Sequence, residues 1–340
     1  MDFEQAPLPH PASNPPPPAD KPRKRSGWKV FWSIFTSLSV IANIIMTLML
    51  FGTLALVFAG QKGLFTEEVI QEGPRTDKIA VITVKGIIDD TASQDVYKQL
   101  KSAKKDKHVK GLIVLINTPG GMVSSSDQIY NEICKYRFQT KQPVIAFMQG
   151  MATSGGYYTA VACDKIIAEP TVITGSIGVI MGHFVIQNLL EEKLGIQPVI
   201  IKSGDKKDWP SPFAQPTDEQ KQYLQDKLIN PAYERFVELV AKGRPSLTPE
   251  QVRYLADGSI YSAQEAVKEQ LVDKIGYMDD AIEEVKTMAV IPEAEVIEYS
   301  KPFSMTSLFG YGSEGMLNIS ASKLYELSTP KAMYLWSAYR

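Results

Sequence analysis

Hydrophobic positions fall along this chain in three regimes. Residues 30–60, "VFWSIFTSLSVIANIIMTLMLFGTLALVFAG", form one apolar run without a charged side chain. At a rise of about 1.5 Å per residue the run exceeds the roughly 20 residues that a bilayer core requires, and it predicts a transmembrane helix. From Lys78 onward, short apolar runs alternate with helical stretches. "KIAVITVKG", "GLIVLINTPGG", "PVIAFMQG", "KIIAE" and "PVIIKSG" read as strands. "SQDVYKQLKSAKKD", "SSSDQIYNEICKYR", the segment from Ser154 to Cys163 and "FVIQNLLEEKLG" read as helices. Strands that are apolar throughout bury both faces, so the pattern predicts an α/β fold with a mainly parallel sheet flanked by helices. After Pro216 the pattern is helical, with Leu224, Leu228, Phe236 and Val240 on one face and Pro231 expected to split the run. "TPEQ" at 248 and "SAQE" at 262 are capping boxes, the first with Pro249 at the favoured first helical position. Residues 301–340 mix glycine, serine and aromatics and suggest no element.

The flanks of the apolar run give it a direction. Lys21, Arg23, Lys24, Arg25 and Lys29 crowd its N-terminal side, whereas the other side carries Glu67, Glu68, Glu72 and Asp77 against Lys62 and Arg75. By the positive-inside rule the N-terminus is cytoplasmic and the remainder extracytoplasmic. A cleavable signal peptide is the rival reading, disfavoured because the run is about twice the usual apolar length of such a segment. The expected organisation is a Pro-rich cytoplasmic tail (1–27), an anchor (28–60), a globular domain (61–300) and a flexible C-terminal extension (301–340). "PLPHPASNPPPPADKP" cannot hold helix or sheet and reads as a solvated leash.

A formal net charge of −2 offers no global attraction for nucleic acid, and none is expected as a partner. Two cysteines, Cys134 and Cys163, are too few for a disulfide framework and lack zinc-site spacing; both are expected to be buried and inert. Neither a metal nor a cofactor is expected.

Sites in parallel sheets form at the carboxyl ends of strands, and three segments end strands suitably. "INTPGG" places Gly120 and Gly121 in a turn whose N–H groups can serve an oxyanion hole; a plain tight turn explains it equally well. "GMATSGGYY" places Ser154 between a strand and a helix, where it is either a nucleophile or simply an N-cap, with Gly155 able to donate a second oxyanion bond. It is not the G-x-S-x-G elbow of the α/β-hydrolases. "IIKSGDKKDWPSPF" offers Lys202, Lys206 and Lys207 in a loop made unusually apolar by Trp209, Pro210, Pro212 and Phe213. Burial can lower a lysine pKa enough for it to act as a general base; a solvated basic loop is the alternative. Only three histidines occur, and His10 lies in the tail while His183 reads as structural.

These blocks, together with "TGSIGVI" and "DGSIYSAQEAVKEQLVDKIG", resemble in order and spacing the signal peptide peptidase A family of Clp-protease/crotonase-like serine peptidases. The resemblance runs from about Lys78 to Ala289. It implies Ser154 as nucleophile and Lys207 as general base, with Lys206 the one-residue-slip alternative. It implies Ser176 as the residue orienting the lysine, and an oxyanion hole from Gly155 with Gly120 or Gly121. A single set of motifs implies the short type of chain, which assembles into homo-oligomeric rings or bowls with serine and lysine contributed by neighbouring subunits. The implied substrates are hydrophobic peptides, remnants of signal peptides, cut at a bacterial cytoplasmic membrane by a single-pass enzyme. The C-terminal extension is expected to occupy the peptide groove and be trimmed. Three other readings remain: a stomatin-associated Ser–Lys peptidase of the same superfamily, a crotonase-type acyl-CoA enzyme, and an inactive scaffold.

Overall fold

The computed structural model of the protein describes residues 27–60, 65–300 and 331–336. Two compact units divide at residues 62 and 63. The first contributes one helix, α1 (Gly27–Gly60), 34 residues long. At about 1.5 Å per residue it spans roughly 50 Å, and it is apolar and long enough to cross a membrane. The Pro-rich tail lies outside the described residues.

The second unit begins with β1 (Thr66–Gln71), β2 (Lys78–Lys85), α2 (Asp90–Lys105), β3 (Val109–Thr118), β4 (Gly120–Met122), α3 (Val123–Thr140) and β5 (Val144–Thr153). It continues with α4 (Gly155–Ala160), β6 (Lys165–Ala168), β7 (Ile173–Gly175) and β8 (Ile180–Gly182). Next come α5 (Asp218–Leu224), α6 (Asn230–Gly243), α7 (Pro249–Leu255), β9 (Ile260–Ser262), α8 (Ala263–Lys268) and β10 (Lys274–Ile275). It closes with α9 (Met278–Ala289), β11 (Glu295–Ser300) and β12 (Lys331–Leu335).

Nine of these strands form one sheet in the order β1-β11-β2-β3-β5-β6-β10, with β7 alongside the far end of β5 and β9 beside β7. All pairings from β11 to β10 are parallel, as is β5 with β7; β1 and β9 join antiparallel. The expected mainly parallel sheet is therefore present, and its two-sided burial accounts for the unbroken apolar runs. In β2, Ala80, Ile82 and Val84 face a core shared with α2, α3, α4 and α6, while Ile79 and Val81 face a second core closed by Ala281, Ile282 and Val285 of α9. Fully burying each isoleucine or valine among them contributes about 1.5–3 kcal/mol.

Both capping boxes form, Thr248 with Gln251 and Ser262 with Glu265. Pro231 sits in the first turn of α6, just after a wide-turned segment at Gln225–Ile229, so it starts a helix where the sequence suggested a break. Cys163 is buried, and burial pushes its thiol pKa up; Cys134 on α3 is half-buried rather than buried.

One expectation fails and another holds only in part in the same region. "PVIIKSG" forms no strand, and "FVIQNLLEEKLG" is helical over residues 187–194 alone, most of it the wide-turned segment Leu189–Lys193. Their apolar side chains lie open, Phe184 being 74% exposed, Val199 85% and Ile201 95%. An apolar run becomes a strand only where a neighbouring edge accepts its backbone, and none of the described strands pairs with residues 198–204.

Candidate functional site

The turn from β5 into α4 puts Ser154 at φ 54°, ψ −112°. A side chain held in so sparsely populated a conformation costs about 1–3 kcal/mol and persists only because its surroundings over-determine it. Here the Ser154 N–H donates to the Gly175 carbonyl at 2.7 Å and its carbonyl accepts from Tyr158 N–H at 2.9 Å. Ser154 occupies the N-cap position, yet its hydroxyl makes no capping bond. Its Oγ is buried without any partner among the described residues. Capping therefore does not account for this serine; an unspent, desolvated hydroxyl remains.

Opposite it, β3 ends in the turn Thr118-Pro119-Gly120-Gly121. Gly120 has φ 102°, which favours glycine. Of the two N–H groups expected here, that of Gly120 is already donated to Thr118 Oγ1 at 2.9 Å. The Gly120 carbonyl accepts from Ile88 N–H and the Met122 N–H donates to the Ile88 carbonyl. By strand alternation the N–H and carbonyl of Gly121 must face the other side, into the crevice. A Cβ on Gly155 would lie 3.2 Å from the Gly121 nitrogen and 2.6 Å from Ser126 Oγ, so the two backbones approach as closely as glycines allow. Gly121 with Gly155 is thus the available pair of donors.

The crevice is occupied. β12, the only described part of the C-terminal extension, lies antiparallel between β4 and β8 as the middle strand of a three-stranded sheet. Tyr334 pairs with Gly121, Leu335 with Gly120, and Met333 with both Met122 and Ile180. The Trp336 N–H donates to the Pro119 carbonyl at 2.9 Å. The Tyr334 carbonyl lies over Gly120, 2.0 Å from where a Cβ would stand, and the Gly155 nitrogen is 2.8 Å from that same point. The Tyr334 side chain is fully buried against Tyr158 and Phe236, both with ring centroids at 4.8 Å. Beyond it, Leu335 and Trp336 join Ser176, Gly178 and Tyr233 in lining a cavity of about 630 Å³.

Ser176, at φ 51°, is buried, and its N–H donates to Ser259 carbonyl at 2.7 Å. The lysines are not brought to Ser154. Lys206 and Lys207 sit in an exposed single turn at Asp205–Asp208. Lys206 lies over the rings of Trp209 and Tyr223, at 5.2 and 4.5 Å. Lys202 is paired with Asp208 at 2.7 Å. Lys207 donates only its backbone N–H, to Gly204. His183 is half-buried with Nε2 unpartnered, and it does not reach Ser154 Oγ either.

Three features escaped sequence reasoning. Ser126 on α3 places a buried, unpartnered Oγ beside Gly155, and only its helical register behind the Gly-Gly turn hints at this. Tyr158, visible in "SGGYY", forms a pocket wall, fixed by its hydroxyl donating to Asp127 at 2.5 Å while Arg235 Nε donates to the same oxygen at 2.9 Å. Burial, followed by that carboxylate, raises the Tyr158 pKa. Phe236 had no local signal beyond its helical spacing.

An unspent serine hydroxyl at a strand-to-helix turn, two converging glycine N–H groups and a crevice that takes extended chain define a serine hydrolase acting on peptides. Residues 136–291 match the model of peptidase family S49, and residues 78–185 that of the NfeD1b N-terminal domain. A candidate signal peptide peptidase SppA of Enterococcus faecium is 39% identical over 245 residues, covering 69% of this chain and 70% of that one. A candidate protease of Synechocystis, slr0021, is 38% identical over 229 residues, with 66% and 80% covered. A candidate protease of Methanocaldococcus jannaschii, MJ0651, is 38% identical over 218 residues, with 63% and 68% covered. Among solved structures, a mutant ClpP1 from Listeria monocytogenes aligns over 59% of this chain and 94% of its own at 20% identity, TM-score 0.40. The chain belongs to peptidase family S49 and is a serine protease.

Proposed function

We propose that this protein is a membrane-anchored Ser–Lys endopeptidase that cuts hydrophobic peptides, including remnants of signal peptides, on the extracytoplasmic side of a bacterial cytoplasmic membrane. The observation that carries the reading is the pairing of β12 across the crevice beside Ser154: backbone pairing with β4 holds an extended chain whose Tyr334 carbonyl stands over Gly120, on the side that the Gly155 nitrogen also approaches. Ser154 Oγ attacks that carbonyl and Lys207 Nζ takes its proton. The lysinium then protonates the leaving amine, and the same lysine activates the water that clears the acyl-enzyme. The developing oxyanion is held by the two glycine N–H groups.

Ser154 Oγ has no partner among the described residues, which fits a lysine supplied by a neighbouring subunit. The open apolar stretch around Phe184, Val199 and Ile201 supplies the surface for such an assembly, in which Lys207 would be desolvated. Ser176, on the cavity wall, would orient the amine. Engagement of Lys206 by two aromatic rings favours Lys207 as the base. α1 anchors the assembly, with the basic flank of the N-terminus held in the cytoplasm.

The test is complementation. Full-length Ser154→Ala and Lys207→Ala chains are each expected to be inactive toward a fluorogenic apolar peptide, and to recover a fraction of wild-type activity when co-assembled. Lys206→Ala is expected to stay active. Activity in every variant would move the scaffold or acyl-transfer readings ahead, and failure of the mixture to recover would place the lysine in the same subunit.

A further inference from the structure

We infer that α1 packs in parallel against the α1 of a second copy of this chain, along a seam centred on Asn43. The inference rests on the reading of α1 as an uncleaved membrane anchor. In the run from residue 30 to 60, which holds no charged side chain, Asn43 is the one side-chain carboxamide. Within the span Gly27–Leu54 it lies roughly 24 Å from one end and 16 Å from the other, at about 1.5 Å per residue, so it falls inside a hydrocarbon core about 30 Å thick.

Hydrogen bonding within the helix sets Asn43 apart from its polar neighbours. Thr36 Oγ1 donates to the Trp32 carbonyl at 2.8 Å, Thr47 Oγ1 to the Asn43 carbonyl at 2.7 Å and Thr53 Oγ1 to the Leu50 carbonyl at 2.9 Å. Each of these hydroxyls spends its one proton inside the helix. Asn43 Nδ2 spends only one of its two, on the Ser39 carbonyl at 2.8 Å. Its second N–H and its Oδ1 have no partner among the described residues. Lipid tails offer neither donor nor acceptor, so leaving these groups unpaired is costly. The same residue of a parallel second copy stands at the same depth and carries the complementary groups, so the free N–H of one carboxamide can donate to the Oδ1 of the other.

The stripe around Asn43 has the spacing such a contact needs. Thr36, Val40, Asn43, Thr47, Leu50 and Leu54 follow one another at alternating intervals of four and three residues. That repeat keeps one stripe of a helix against its neighbour in a left-handed supercoil. Val40, Asn43, Ile44 and Thr47, at i, i+3, i+4 and i+7, line a shallow hollow of about 430 Å³ together with Leu48. Four residues at those positions form the hole into which a side chain of a facing helix inserts. Leu38, Ile41 and Ile45 fall on the opposite face, exposed and wholly apolar, as a lipid-facing side requires.

The experiment uses the full chain in phosphatidylcholine vesicles, with Cys134→Ser removing the half-buried thiol and the buried Cys163 kept. Intact mass first establishes whether α1 is retained. Single cysteines are then introduced by Thr36→Cys, Val40→Cys or Thr47→Cys on the seam and by Leu38→Cys or Ile45→Cys opposite it, and oxidised with copper phenanthroline. Crosslinked dimers are expected at the three seam positions, with the other two at the level of the chain without an added cysteine. Adding Asn43→Leu to Val40→Cys should lower crosslinking about three- to thirtyfold, the range set by one interhelical side-chain hydrogen bond in a membrane, while Asn43→Gln, which keeps the carboxamide, should preserve it. Equal crosslinking on both faces, a maximum on the opposite face, or no change with Asn43→Leu overturns the inference. Seam cysteines that crosslink only to a different protein in native membranes overturn it too. A mass showing that the chain begins after α1 removes the anchor reading and the inference with it; a retained α1 without seam contacts removes the inference alone.

Discussion

Gly120→Ala separates strain from exclusion at the crevice. The backbone there, at φ 102°, is one that L-residues avoid, and the added methyl would stand 2.0 Å from the Tyr334 carbonyl oxygen and 2.8 Å from the Gly155 nitrogen. Two consequences follow by different routes. Strain of about 1–3 kcal/mol lowers stability, and for a domain of this size each kcal/mol shifts Tm by about 2–4 °C. The unfolding transition should therefore move down by roughly 2–12 °C and stay cooperative. Independently, the methyl takes the space of the peptide carbonyl and pushes it off the Gly121 and Gly155 nitrogens. Loss of one oxyanion donor costs about 10²–10³ in kcat, and displacement of the paired strand can only add to that. Hydrolysis of a fluorogenic apolar peptide by the full-length protein in detergent, with thermal unfolding on the same sample, reads both. A folded variant with the expected Tm shift that keeps more than about a tenth of wild-type kcat/KM would refute the placement of the peptide carbonyl over Gly120.

Replacing Ser154 by glycine should abolish hydrolysis and raise stability together. Relief of about 1–3 kcal/mol of backbone strain outweighs the roughly 0.5–1 kcal/mol that glycine costs in unfolded-chain freedom, and a Tm at or below wild type in thermal unfolding would show that the φ 54° turn is unstrained. Away from the site, burial pushes the Asp106 carboxyl up, but the His108 N–H and Lys78 ammonium outweigh it and hold it below its usual value. A depressed carboxylate stabilises the fold above its unfolded pKa of about 4 and loses that contribution as pH falls through its folded value. Asp106→Asn should therefore be less stable than wild type at pH 7 and converge with it as the pH falls below the ordinary carboxylate range in denaturant titrations; a constant difference across that window would assign the effect to packing instead.

What could be read locally was read correctly where the cause was local. The apolar run forms one continuous helix, α1. The continuous apolar strands β2, β3 and β5 report burial on both faces, and Thr248 and Ser262 meet their capping partners within one turn. Ser154 stood out for the same reason, as a polar residue between a buried strand and glycines. Chain topology decided the rest. "PVIIKSG" has strand composition but pairs with none of the described strands, so its apolar side chains stay exposed. Whether Gly120 or Gly121 offers its N–H depended on Thr118 and Ile88 claiming the first turn's groups. Tyr334, in a stretch without any recognisable period, became a fully buried strand residue because β4 and β8 present two open edges to it from far away in the sequence. Sequence by itself determined which segments must leave water, because that follows from side-chain composition at short range. Only tertiary structure decided which backbone groups were left unpaired around Ser154, because a hydrogen bond needs its partner brought to within about 3 Å, and separation along the chain does not reveal that.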